Sequence, residues 1–178
     1  MKTMVRLMGI PGSGKSTVGK KLADVLPKAK HYSFGALLKH LTTKESGSDY
    51  DVDAKARVYE FLKEKLKSAD TLVLDTNPYP PDSLTAREEL DSCFDRVFYV
   101  ELSCSKKTAL ERMNARNRGL LDHEGNSSNR IENWYVHVRP SIDLIKLDKN
   151  IVNISTQDKS IDVVVKEVLI GISFGYAE

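Results

Sequence analysis

Glycines at positions 9, 12 and 14, followed by Lys15 and Ser16, carry the most specific chemical signal in this 178-residue chain. The run Gly9-Ile10-Pro11-Gly12-Ser13-Gly14-Lys15-Ser16-Thr17 satisfies the pattern GxxxxGKS/T and lies between an apolar run and a segment of helical period. Glycines let the backbone wrap closely around an anion with its N–H groups pointing inward, and a helix starting near Lys15 adds the positive end of its dipole. Gly9, Pro11, Gly12, Ser13, Gly14, Lys15, Ser16 and Thr17 are therefore the expected ATP cradle. Lys15 is expected to bridge the β and γ phosphates, and Ser16 to ligate Mg²⁺, which neutralises charge as the γ-phosphoryl group leaves.

Such a cradle needs a carboxylate from a neighbouring strand to help hold the metal. Leu72-Val73-Leu74-Asp75, three apolar residues ending in an acid, reads as a buried central strand delivering one to the C-terminal edge of a sheet. The plainer alternative is that Asp75 only caps a turn through Thr76 and Asn77. Arginines form the second cluster: five of the nine in the chain fall from Arg112 to Arg139. Arg112 and Arg116, spaced i, i+4, share one helix face near its C-terminal end, where the dipole favours cations. Arg118 and Arg130 flank the polar stretch 119–128, and ordinary surface salt bridges are the alternative use for all four.

The elements that must position these groups alternate. Short apolar runs at 4–8, 31–33, 71–74, 96–102 and 151–154 read as strands. Segments at 15–25, 35–44, 52–68, 82–91, 106–117 and 160–172 read as helices, with a longer one from residue 129 broken or kinked near Pro140. This is the βαβ pattern of an α/β domain, here a P-loop fold with a five-stranded parallel sheet and helices on both faces. The polar stretches Glu45 to Tyr50 and Gly119 to Ser128 interrupt it as inserts.

Length and composition fit one domain over 1–178. An apolar share of 40% with 27 basic against 25 acidic residues argues against disorder, and a net charge of +2 leaves no broad basic surface to hold a nucleic acid. Phosphate recognition must then be local. No run of about eighteen apolar residues marks a membrane span, and the charged opening MKTMVRLMGI is not a secretory signal, so a cytoplasmic location is expected. The two cysteines, Cys93 and Cys104, sit in no metal or redox motif and are expected to be free thiols. His31, His40, His123 and His137 are scattered without ligand spacing, and Trp134 and Tyr135 read as packing residues.

In order along the chain, these residues resemble the nucleoside monophosphate kinases, meaning adenylate kinase and its UMP/CMP kinase relatives. GIPGSGKST is similar to the family's GxPGSGKGT, and His31 to Lys39 to its HIStGDLLR. Leu72 to Asp75 is similar to the strand ending LLDGFPR, Ala109 to Arg116 to the segment entering the lid, and Arg130-Ile131 with Arg139-Pro140 to the helix after it. The resemblance implies transfer of the γ-phosphoryl of Mg·ATP to a nucleoside monophosphate by a monomer. It also implies an acceptor-binding insert at about 33–69 and a short lid at about 118–128, with Gly119 and Gly125 as possible hinges. Arg112, Arg116, Arg118 and Arg130 would close over the donor, one stacking on its base and the others neutralising the moving phosphoryl group. Closure of the lid would exclude water.

The acceptor side departs from the family pattern. GFPR is replaced by Thr76-Asn77-Pro78-Tyr79, which lacks the acceptor arginine, the Asp of GDLLR is Ala36 and its arginine is Lys39. Ser33, Lys39 and Arg57 are the candidate acceptor residues, Lys39 as a point charge without the guanidinium fork. Two rival readings stay open. One is a P-loop kinase phosphorylating a hydroxyl on a small molecule or a polynucleotide 5′ end, for which Ala36 stands where a base is expected. The other is a nucleotide-binding module that has lost transfer.

Overall fold

In a computed structural model, which describes residues 1–42, 52–65, 68–78, 84–116 and 127–174, five strands form one sheet in the order β2-β3-β1-β4-β5, every neighbouring pair parallel. The strands are β1 (Thr3–Met8), β2 (Ala29–Ser33), β3 (Thr71–Asp75), β4 (Arg96–Ser103) and β5 (Ile151–Ser155). Around them lie α1 (Lys15–Val25), α2 (Phe34–Thr42), α3 (Val52–Lys65), α4 (Leu84–Asp91), α5 (Lys106–Ala115), α6 (Ser127–Asn133), α7 (Arg139–Asp148) and α8 (Ile161–Phe174).

Successive strand side chains point to opposite faces, so the apolar runs feed two separate layers. Val5 and Leu7 of β1, with Val73, Val100, Leu102 and Ile154, pack on Val18 and Leu22 of α1 and on Val164, Val165 and Val168 of α8. The alternate residues Met4, Leu72 and Leu74 face Val58, Tyr59 and Leu62 of α3 and Leu90 of α4. Met8 and Tyr99 meet α5, α6 and α7 through Met113, Ile131 and Ile142. The sheet thus carries helices on both sides, as the alternation predicts.

Two charged residues interrupt the strand pattern. Arg6 lies between Met4 and Met8 on the α4 side, with its side chain only 2% exposed. It donates to Asp91 Oδ1 from Nε at 2.8 Å and from Nη2 at 2.5 Å. Glu101 of β4 is also buried and receives Arg139 and Lys146, each at 2.7 Å. A buried charge is tolerated in an apolar layer when its partner is held at hydrogen-bonding distance.

The long helix expected after residue 129 is α6, a π-helical turn at Trp134–Val138, and α7, whose first positions include Pro140. Proline has no N–H and its ring collides with the carbonyl one turn back; a widened turn just before it relieves that collision. Among the described residues no helix is long and apolar enough to cross a membrane. Arg118, the inserts at 45–50 and 119–126 and the residues within them (His123, Gly119 and Gly125 included) lie outside the described residues, as does Tyr79.

From the C-terminal edge of β1 the chain runs to β2, away from β4; from that of β3 it crosses to β4 on the other side of β1. The edge where connections part in opposite directions leaves a crevice, and open α/β sheets bind their ligands there.

Candidate active site

The loop from Gly9 to Gly14 fills that crevice because its glycines permit what other residues do not. Gly9, Gly12 and Gly14 have φ of 139°, 86° and 96°. A Cβ on Gly9 would lie 2.0 Å from the Leu102 carbonyl oxygen, and one on Gly12 2.5 Å from that of Ala109. Gly14 caps α1 without a side-chain hydrogen bond, and the first helical turn holds no acidic residue. The helix therefore presents its N–H groups and positive dipole end undiminished. Ser13 is buried with its hydroxyl unpartnered.

Lys15 folds back over the loop and donates to the carbonyls of Gly9 at 2.7 Å and Ile10 at 3.1 Å. Burial depresses its pKa below the ordinary 10.5, opposed by Asp75 and reinforced by the like charges of Arg130 and Arg116. Arg130 lies on α6 and Arg116 at the end of α5. Arg116 also reaches Thr17 Oγ1 at 3.4 Å. Arg112 is held by the turn after β5, donating to Thr156 Oγ1 at 3.0 Å and to the Thr156 carbonyl at 2.8 Å.

Asp75 ends β3, buried, with Ser33 of β2 beside it in register. Its Oδ2 accepts a short hydrogen bond from Ser16 Oγ. One hydroxyl and one carboxylate facing each other are the hard oxygen donors that Mg²⁺ takes from a protein when phosphate and water complete its shell, so the pair fits that ion. Asn77, two residues on, accepts from the Gly9 N–H through Oδ1 at 3.0 Å, tying the turn after β3 to the phosphate loop.

Against the same turn, on the α3/α4 face of the sheet, lies a narrow cleft. Thr76, Asn77 and Pro78 line one side, Phe34, Lys55 and Tyr59 another, and Arg6, Arg87 and Tyr99 its depth. Neither Lys39 nor Arg57 lines it; both are exposed on the outer faces of α2 and α3. The cations that do, Arg6, Lys55 and Arg87, are not among the residues singled out from the sequence. Lys55 had a readable signal, since it lies three, four and seven residues before the buried Val58, Tyr59 and Leu62, whereas Arg57 falls off that stripe.

The AAA domain family (AAA_17) matches residues 8–128. The chain belongs to that family. Over 94% of its length it is 27% identical to the adenylate kinase of Campylobacter hominis and 26% identical to that of Campylobacter lari, covering 94% and 95% of those proteins. Its fold is shared with a shikimate kinase from Acinetobacter baumannii, solved with shikimate, at 17% identity and TM-score 0.68, with 100% and 97% of the two chains covered. A gluconokinase from Sinorhizobium meliloti gives 19% identity and TM-score 0.60 over 96% and 91%. The resemblance to nucleoside monophosphate kinases is met by these relatives, and family, relatives and fold place the chain among the P-loop kinases.

Proposed function

We propose that this P-loop kinase transfers the γ-phosphoryl group of Mg·ATP to a nucleoside monophosphate, giving a nucleoside diphosphate. The observation that carries the reading is the pairing of a complete donor cradle with a cation-lined cleft that shares Asn77 with it. Phosphoryl transfer is mostly positioning and charge stabilisation, and a phosphate acceptor, already ionised, needs no strong general base. The described residues lining the cleft supply arginine, lysine and tyrosine groups and no carboxylate or imidazole.

On this reading Lys15 leaves the Gly9 and Ile10 carbonyls for the β and γ phosphates, and the loop N–H groups hold the rest of the chain of phosphates. Ser16 and Asp75 would hold Mg²⁺, which supplies charge neutralisation at the phosphates. Arg116 and Arg130 would offset the charge that develops on the moving group. Arg112, fixed by Thr156, is the arginine that would stack on the base of the donor. Ser33, Lys39 and Arg57, none of which lines the cleft, remain acceptor candidates. Arg118 belongs to the same lid proposal.

A hydroxyl acceptor that carries an acidic group is the second reading, supported by the fold likeness to a kinase solved with shikimate and to a gluconokinase. Incubation with Mg·ATP and, separately, AMP, CMP, UMP, GMP, their deoxy forms, shikimate and gluconate, with products resolved by ion exchange, separates the two. Diphosphate formation from one monophosphate is expected. ATP binding without any such product overturns the proposal, and turnover of a hydroxy acid instead replaces it with the second.

A further inference from the structure

Arg87 lies in the middle of α4 with its side chain 13% exposed, yet its Nε and Nη1 are buried and meet no hydrogen-bond acceptor among the described residues. Its one ion-pair partner among the described residues, Glu88, is 3.9 Å from Nη2 and 70% exposed, so that contact is long, screened by water and leaves Nε and Nη1 unmet. A guanidinium cannot relieve this by losing its proton. A cation taken out of water without a partner is costly, and folded proteins keep one where a ligand will supply the anion.

The surroundings show why no side chain fills that role. Asp91, one turn along the same helix, is the obvious partner, but both of its oxygens are engaged. Oδ1 takes Nε and Nη2 of Arg6, and Oδ2 takes a short hydrogen bond from the Tyr99 hydroxyl. Arg6 also donates to the Arg87 carbonyl at 3.4 Å, so the buried strand residue fixes the helical turn from which Arg87 projects. Across the cleft stand Lys55 and Tyr59, and Thr76 to Pro78 connect it to the phosphate loop.

We infer that Arg87 is the anchor for an anionic group on the acceptor, held in place by the Arg6–Asp91–Tyr99 network beneath it. The inference rests on the phosphoryl-acceptor reading above, where that group is a phosphate monoester; a carboxylate has the same recognition chemistry. It moves the acceptor cation from the turn after β3, where sequence comparison looks for it, to the following helix. Arg6 and Asp91 are positioning residues, because they reach the acceptor only through Arg87.

The test uses the full chain with its phosphate loop filled by Mg²⁺ and a non-hydrolysable ATP analogue, so that added anion meets only the second site. Arg87→Met keeps length and packing and removes the charge; Arg87→Lys keeps a charge and loses the fork. Three results are expected. Without ligand, Arg87→Met melts at or above the wild-type temperature, since an unpaired buried cation is gone, whereas a merely structural arginine would lower it. Inorganic phosphate stabilises the analogue-loaded wild type saturably and Arg87→Met not at all, with acetate reporting whether a carboxylate serves. In turnover, KM for the accepted substrate rises about tenfold to a hundredfold in Arg87→Met and less in Arg87→Lys, while KM for ATP stays put.

An unchanged acceptor KM in both variants overturns the inference and leaves the kinase reading standing. Absence of monophosphate turnover, with phosphate stabilisation still lost in Arg87→Met, overturns the reading of the acceptor and keeps the anion site. If Arg87→Met does not fold, Arg87→Lys decides: phosphate stabilisation identical to wild type sinks the inference.

Discussion

Substituting Asp91→Asn keeps the shape of the side chain and an oxygen for the Tyr99 hydroxyl, and puts an amide NH2, a donor, in place of the charged oxygen that accepts from Arg6. Arg6 is 2% exposed and Asp91 16%, so little water can replace the lost partner. Breaking a buried pair from one side costs about 3–5 kcal/mol. Against a typical total of about 5–15 kcal/mol that is a large fraction, and at this chain length about 2–4 °C per kcal/mol gives a melting point lower by about 6–20 °C. Arg6→Met leaves Asp91 with Tyr99 and some solvent and should cost less. The double variant removes both charges and should recover most of the loss of Asp91→Asn, because a buried ion pair is worth little over an apolar replacement of similar size. Urea unfolding of the four proteins, followed by circular dichroism, measures the coupling. The reasoning is refuted if Asp91→Asn lies within about 1 kcal/mol of wild type, or if the two single effects simply add.

Three further outcomes follow from the donor side. Gly12→Ala should abolish ATP binding and Gly14→Ala should weaken folding by only about 1–2 kcal/mol, because both have positive φ but only the first drives a Cβ into a backbone carbonyl; calorimetry with ATP and thermal melts check the contrast, and equal effects would contradict it. Asp75→Asn should raise the Mg²⁺ concentration needed for half-maximal rate at least about tenfold with ATP affinity in the absence of metal unchanged, read from a Mg²⁺ titration; an unaltered titration removes Asp75 from the metal site. Lys15 has its pKa lowered by burial, so kcat/KM for ATP should fall on the alkaline side at a pH below 10.5 as the free protein loses that proton. Between the lowered value and 10.5 the unfolded chain holds more protons than the folded one, so the contribution of Lys15 makes stability rise with pH through that window; a flat rate profile up to 10.5 contradicts the assignment.

The donor half of the site was legible because its determinants are local. The glycine spacing, the helix beginning at Lys15 and an apolar strand ending in Asp75 each declare themselves within a few residues, and the strands at 4–8, 71–74, 96–102 and 151–154 needed adjustment by a residue or two at most. β2 starts at Ala29, two residues earlier than its apolar content suggested, because an edge strand paired on one side only, half-buried throughout, needs no continuous apolar run.

The residues of the proposed acceptor cleft were not legible for the opposite reason. Arg6 and Asp91 meet across 85 positions of sequence, and nothing near either residue announces the pair. A charged residue inside Met4-Val5-Arg6-Leu7-Met8 was the available warning that a partner had to exist. Arg87, in a run reading Ala86-Arg87-Glu88-Glu89, has the look of a solvated helical arginine. Only the position of α4 against the sheet, and the occupation of both Asp91 oxygens, set it apart.

The two halves constrain each other at Asn77. With an arginine at the turn after β3, that turn would have to point a long cation at the acceptor; here it carries a short amide that accepts from the Gly9 N–H and steadies the phosphate loop. The described part of that turn, Thr76 to Pro78, lines the cleft but carries no cation, so on the inference drawn above the cation comes from the next element along, α4. That displacement then requires Arg6: a guanidinium on a helix face is only as well placed as the helix, and a hydrogen bond from the central strand to the Arg87 carbonyl is what fixes that turn relative to the sheet. An arginine buried in β1, unhelpful to an apolar layer in itself, is accounted for by what it holds in position.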